Sequence, residues 1–328
     1  MEDNKVNLTH FLAKELMIRA NKLKGEEELI VAGGGANPEE VVSSQHASLP
    51  HLFSSHEEAD TRLVLHGKDA ELNGYKRVVI KSKDTDVLVL FIYHETTSEV
   101  WMDAGTTKKP KHIPVHQVRQ SLQQDVVKNL PAFHAITGCD STSQFAAHWK
   151  KTAWKTYVDD PKALDDFGDF RNTTFHKAES FVMKLYDYTS KSTSINALRE
   201  EMFHRISDPE KLPPTHDALL LHFRRAQYQT AIWEISDHPK PHLPLPEECG
   251  WTVELNKLCP LLMTRDPVPV VCTELLVCGC KIQRCISTQC TCCKNNLGCS
   301  IGCVCHQKCK NPNNPITQHE DDSSDEEH

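Results

Sequence analysis

No long hydrophobic run occurs in this chain of 328 residues. The most apolar stretch, VLVLFIY over 87–93, falls far short of the roughly 20 residues that a membrane helix needs. A membrane partner is therefore not expected. The first residues, MEDNKVNLTH, have no apolar core, which speaks against a secretory leader and for a reducing compartment, where cysteines stay thiols or bind metal. An excess of positive charge is lacking too: 37 Lys and Arg stand against 45 Asp and Glu. With a net charge of −8 the chain is not a general polyanion binder, so any nucleic-acid contact must be local. The charge is segregated. Six carboxylates lie between Glu320 and Glu327, five Lys or Arg between Cys278 and Asn311, and the remainder carries about −7. Internal repeats are absent. The GGG at 33–35 lacks the spacing of a dinucleotide-binding loop and reads as a turn.

What is present from about Val6 to Glu234 is an alternation of helix-like and strand-like segments, the pattern of an α/β fold with a parallel sheet. LTHFLAKELMIRANKL has helical spacing, and EELIVAGGG reads as a short strand ending in a turn. EEADTRLVLHGKDAELNGY predicts a helix stopped at Asn73-Gly74. KRVVIKS follows as a buried strand, then KDTDVLVLFIY as an acidic loop leading into another apolar element. STSQFAAHWKKTAWKTYV predicts a helix capped by Ser141 or Thr142. INALREEMFHRI and THDALLLHFRRAQYQTAIWEI are amphipathic, with stripes read as core contacts. Prolines concentrate over 236–277, as a linker or a strap over the domain surface. The acidic tail at 312–328 is expected to be disordered, with Ser323 and Ser324 in a phosphorylation-prone context.

Three acidic clusters stand out in the first part: Glu57, Glu58 and Asp60 in HEEAD, Asp84 and Asp86 in SKDTDVLVL, and Asp140 in TGCDSTS. Asp84 and Asp86 follow the carboxyl end of a strand, where ligands of parallel sheets bind. Asp140 comes two residues after Gly138, which permits an unusual turn. Acid at a helix start is also ordinary capping, and Asp in such a loop is also an ordinary turn former.

The order of these runs resembles the second half of a PIN-like nuclease domain of the flap-endonuclease type. It is closer still to uncharacterised PIN-like proteins of invertebrate and mobile-element-rich genomes, through HEEADTR, DTDVLVL, LPAFHAITGCDSTS and KKTAWK. The resemblance covers most of residues 1–235. It implies a PIN-like parallel sheet flanked by helices, followed by a helical extension. It implies that Glu58, Asp60, Asp84, Asp86 and Asp140 hold one or two Mg²⁺ or Mn²⁺ ions for phosphodiester hydrolysis. Glu57 has no counterpart. The segment with Trp149, Lys150, Lys151, Trp154 and Lys155 lies where the family contacts the nucleic-acid backbone; a helix with buried Phe145 and Trp149 and a solvated basic face is the alternative. Such folds begin with a strand bearing an early Asp. Here Glu2 and Asp3 precede a helix, so that first strand is expected to be missing and catalysis by this chain is an open question.

Ten of the 14 cysteines fall between Cys278 and Asn311. Cys-x-Cys pairs suit soft metal coordination better than disulfides. The spacing of Cys278, Cys280, Cys285, Cys290, Cys292, Cys299, Cys303, Cys305 and Cys309 resembles a tesmin-type CXC domain over 278–311, with Cys293 outside the pattern. The resemblance implies three zinc ions shared among these nine thiolates, a small irregular fold that depends on metal, and a modest DNA or RNA contact through residues such as Lys281 and Arg284. Gln289 stands where the DNA-reading members carry a groove-inserting Tyr, so a structural or protein-binding role remains alongside. Domain resemblance and the basic patch TKKPKH (107–112) point to the nucleus.

Overall fold

The structure is a computed structural model that describes residues 2–25, 27–33, 37, 39–171, 174–203, 205, 208, 211–255, 257–263, 276–281, 285–286, 289–300, 303–305 and 309–314. Arg284, most of the Pro-rich stretch after 263, and the acidic tail from 315 with Ser323 and Ser324 lie outside the described residues. The chain divides into two units, Met1–Leu262 and Met263–His328. Among the described residues no helix is long and apolar enough to cross a membrane.

The first unit is mixed α/β. Helix α1 (Glu2–Ala20) precedes a short antiparallel pair, β1 (Ile30–Ala32) and β2 (Val41–Ser43). Helix α2 (Ala59–Leu72) ends where expected: Asn73 caps its last turn, and Gly74 takes the left-handed conformation at φ +81°. Its buried face includes Thr61, Val64, Leu65 and Gly67. Gly67 permits a close approach, since a Cβ there would stand 2.7 Å from the Phe91 ring.

Strand β3 (Arg77–Lys81), helix α3 (Thr85–Tyr93) and β4 (Glu99–Asp103) form a βαβ unit, with β3 parallel to β4 and Arg77 opposite Glu99. β5 (His112–Pro114) adds to β4 antiparallel. The expected parallel sheet is therefore one parallel pair with an antiparallel neighbour. β3 is an edge strand rather than the buried one its Val-Val-Ile suggested: only Ile80 is buried, and Val79 is 61% exposed. The strongly apolar run after Asp84 is α3. It is apolar on every side because it is enclosed by α2, by α4 (Val115–Ser121), by α5 (Gln124–Lys128) and by α6 (Leu130–Ile136). Val87 and Leu90 are fully buried. Helix α6 is buried at all seven positions, and α10 (His216–Glu234) packs along it.

The helix expected from Ser141 or Thr142 starts later, as α7 (Lys150–Asp159), with Trp149 at its N-cap position and no side-chain cap. Both hydroxyls are committed elsewhere. Ser141 Oγ donates to Gln229 Oε1 at 2.7 Å, and Thr142 Oγ1 donates to the Ala135 carbonyl at 2.6 Å. Gly138, at φ +107°, turns the chain so tightly that a Cβ would fall 2.9 Å from the Gln144 backbone. Helices α8 (Phe175–Tyr186) and α9 (Ile195–Phe203) complete the helical layer beside α10.

The stretch after Ser236 lies against the first unit as far as Leu262, beyond the expected boundary at 235. The Pro239 carbonyl accepts from Ser55 N at 3.1 Å, and the His238 carbonyl lies 2.8 Å from His56 Nε2. A 3-10 turn at Pro246–Cys249 then leads into the hairpin of β6 (Trp251–Glu254) and β7 (Lys257–Pro260), which Arg225 of α10 ties down through the Gly250 carbonyl at 3.2 Å. In the second unit the described helix is the single turn α11 (Thr291–Lys294), and its buried core consists of cysteines.

Candidate functional site

The βαβ unit sets the first part of the acidic site. Asp84 leaves β3 and caps α3, its carboxylate accepting from Asp86 N at 3.0 Å. Asp86, one residue into the helix, is thereby turned toward α6, where its Oδ1 meets His134 Nε2 at 2.7 Å. Glu58 and Asp60 arrive from the start of α2. Asp140 comes from the loop that Gly138 turns.

Asp60 and Glu58 feel the neighbouring carboxylates. Burial first, then the charges of Asp84, Asp86 and Asp140, push the Asp60 carboxyl up from its ordinary range. Burial also raises Glu58, with Asp86 and Asp60 adding to it, against hydrogen bonds from Gln229 and Trp233 that lower it. Glu58 is tied to α10 through both oxygens: Gln229 Nε2 donates to Oε1 at 3.1 Å and Trp233 Nε1 to Oε2 at 3.3 Å. Gln229 also accepts from Ser141, so one amide joins the Glu58 loop to the Asp140 loop. Sequence reasoning placed α10 in the core and missed Gln229. Its signal was there: Gln227, Gln229, Thr230 and His222 are buried polar residues in an otherwise apolar stripe.

His134 was missed as well, although it sits in LPAFHAITG. It is 4% exposed and joins two charged groups. Nε2–H donates to Asp86, and Nδ1 accepts from Lys150 Nζ at 2.6 Å, an arrangement that suits a neutral ring. Burial lowers its pKa, outweighing the Asp86 hydrogen bond that raises it. Lys150 Nζ donates a second bond to the His134 carbonyl at 2.9 Å. Burial lowers the Lys150 ammonium to about 8, against the pull of Cys139 and Asp86. Lys150 thus points inward, whereas Lys151 and Lys155 lie on the exposed side of α7. Trp154 packs on Phe133 and Tyr157; of the two aromatics that the alternative reading of this segment buries, Phe145 is buried and Trp149 is 66% exposed.

Oxygen donors fit a hard divalent cation. Among the described residues, however, the side-chain groups whose ligand atoms all lie within 4.8 Å of one another consist of cysteines. The carboxylates are more widely spread.

The cysteines of the second unit form the tighter set. Three overlapping groups meet that 4.8 Å limit: Cys278 with Cys290, Cys292 and Cys299; Cys278 with Cys285, Cys299 and Cys305; and Cys278 with Cys280, Cys285 and Cys290. Four thiolates about 2.3 Å from a tetrahedral ion stand roughly 3.8 Å apart. Cys278 Sγ lies 3.9 Å from both Cys285 Sγ and Cys299 Sγ, and Cys292 Sγ lies 3.6 Å from Cys303 Sγ. The cysteines are thus positioned to bind metal ions, compatible with zinc, and Cys278 belongs to every group. None of the described cysteines is in a disulfide. Burial works against ionisation of Cys290, but hydrogen bonds from the backbone N–H groups of Cys293 and Cys292 and from the Cys278 thiol bring it down to about 6.

The first and last of the three Cys-x-Cys stretches, at 278–280 and 303–305, lie against each other: Val304 N donates to the Cys278 carbonyl at 3.0 Å, and Cys278 N donates to Cys303 Sγ at 3.3 Å. Cys309 approaches Asn314 Nδ2 at 3.6 Å. Cys293 packs against the cluster, its thiol donating to the Cys285 carbonyl and to Asn311 Oδ1. Asn311, 4% exposed, donates to Cys299 Sγ at 3.3 Å and to the Leu297 carbonyl at 2.8 Å. Lys281 and Gln289 are exposed. No family model, curated protein or solved structure matches the chain.

Proposed function

We propose that the first unit is a PIN-like, flap-endonuclease-related domain that hydrolyses phosphodiester bonds with Mg²⁺ or Mn²⁺. The second unit, on this reading, is a tesmin-type CXC module that binds three zinc ions and anchors the chain to DNA or RNA in the nucleus. The observation that carries it is that the charges of Asp84, Asp86 and Asp140, delivered from two further segments, reach the partly buried Asp60 and add to the upward push on its carboxyl. Like charges gathered without a matching cation cost stability, and a divalent cation removes that cost. When bound, such an ion lowers the pKa of water and offsets charge on a phosphate. The chain's own part is to hold the carboxylates. Asp84 fixes Asp86 through the helix cap, and His134 fixes the Asp86 carboxylate from behind.

Flap and single-stranded substrates test this directly. Cleavage should require Mn²⁺ or Mg²⁺ and be lost in Asp84→Asn and Asp86→Asn. Turnover that survives both substitutions sinks the assignment. A second reading draws on Glu58, whose two oxygens are both engaged by α10. In it the domain is a non-catalytic platform for nucleic acid or protein. It requires binding without turnover at any supplied metal concentration.

A further inference from the structure

Beside the acidic site lies a cleft of about 460 Å³, with a mostly apolar wall formed by Gly138, Cys139, Gln144, Trp149 and Lys150. We propose that this cleft is a subsite for one unpaired nucleotide of a polynucleotide strand, with its base stacked on Trp149 and its phosphate held by Lys150. This rests on the nucleic-acid reading above and narrows it to a single-stranded substrate segment.

Three observations carry the proposal. First, the Trp149 indole is 66% exposed at the rim of the cleft, while Trp154, one helical turn on, is packed into the core. An exposed indole beside a cleft offers a stacking face to any base, and such stacking is sequence-tolerant. Second, Lys150 carries three N–H groups, and His134 accepts two of them through Nδ1 and its carbonyl. One donor is left for a ligand, on an ammonium that already lines the cleft. Burial makes that charge costly, and Cys139 and Asp86 offset the cost only in part. Third, the tight Gly138 turn sets Gln144 against the cleft, where it is exposed at the edge and able to meet the polar rim of a base. The same turn carries Asp140, so a nucleotide seated here lies next to the carboxylates. At a duplex end only the outer face of the terminal base pair is free, and its bases are held by their partners, so neither can seat singly in a one-nucleotide cleft. The cleft therefore favours an unpaired strand.

The experiment is equilibrium binding of short fluorescent oligothymidylate and oligouridylate to the full chain, without Mg²⁺ or Mn²⁺. A blunt duplex of equal length is the control. Trp149→Ala should weaken single-strand binding roughly fivefold to a hundredfold, the worth of one stacked base. Trp149→Phe should restore most of it, and duplex binding should not change. Lys150→Gln should weaken binding and lower the salt slope by about one. Oligodeoxyuridylate, which differs from oligouridylate only in the sugar, is run beside them, and the larger Trp149 effect of that pair names the preferred sugar. Equal single-strand affinity of wild type and Trp149→Ala for all the oligonucleotides overturns the subsite. Trp149 is exposed, so its loss should leave the fold intact, and unchanged melting of Trp149→Ala checks this. Trp149-dependent binding without any cleavage would leave the subsite standing and remove only the nuclease reading.

Discussion

Glu234 ends α10, the helix that holds Glu58 through Gln229 and Trp233. Its carboxyl packs where a Cβ on Gly168 would touch it. Burial, with Asp166 and Asp169 nearby, raises its pKa to about 7, and Lys128 only partly opposes this. A carboxylate at a helix C-terminus also faces the negative end of the helix dipole. In the unfolded chain the same group titrates near 4.3. Between these values the folded state binds more protons, so stability from this group is fully present below about 4.3 and is lost as pH rises through about 7. The full loss is about 4 kcal/mol at most, because one pKa unit corresponds to about 1.36 kcal/mol. Glu234→Gln keeps the shape and removes the titration. Its melting temperature relative to wild type should rise between pH 5 and pH 8 by several degrees, at roughly 2–4 °C per kcal/mol for a unit of this size. Thermal melts followed by circular dichroism at pH 5, 6, 7 and 8 provide the measurement. A difference between variant and wild type that is the same at every pH refutes the argument.

Other expectations concern packing and metal. Gly67→Ala would drive a Cβ into the Phe91 ring and should cost about 1–3 kcal/mol, read as a lower urea midpoint; an unchanged midpoint refutes the close approach. Elemental analysis of the purified chain should find about three zinc ions; metal-free protein with a folded second unit would reject the module. Asn311→Ala removes a donor to Cys299 Sγ and leaves the Leu297 carbonyl without it. It should weaken zinc retention about 10- to 100-fold in chelator competition, whereas retention equal to wild type would make Asn311 only a loop residue.

Helix α2 was legible in the sequence because its signals agree, from the acidic first turn to Asn73-Gly74. Two other elements were less legible for identifiable reasons. α3 is apolar all round, so periodicity could not separate a buried helix from a strand. β3 carries Val-Val-Ile, yet its neighbours leave one side open. The delayed start of α7 shows a local capping signal losing to tertiary hydrogen bonds, since Ser141 and Thr142 serve Gln229 and the Ala135 carbonyl. The site carboxylates were visible by type and order, and the structure brings Asp60 within electrostatic reach of Asp84, Asp86 and Asp140. His134 and Gln229 were not, because joining them to Asp86 and Glu58 takes sequence separations of 48 and 171 residues. The cysteine spacing survives best, because a thiolate cluster writes its ligands directly into the sequence.

On the proposed function, the carboxylates from α2, α3 and the Gly138 loop hold a divalent cation. Mn²⁺ titration of the zinc-loaded chain, followed by electron paramagnetic resonance of the free ion, tests it most directly. The account predicts saturable Mn²⁺ binding that weakens roughly tenfold or more in Asp60→Asn and Asp84→Asn while zinc content stays constant. Mn²⁺ binding that is absent from the wild type, or unchanged in both variants, would contradict it.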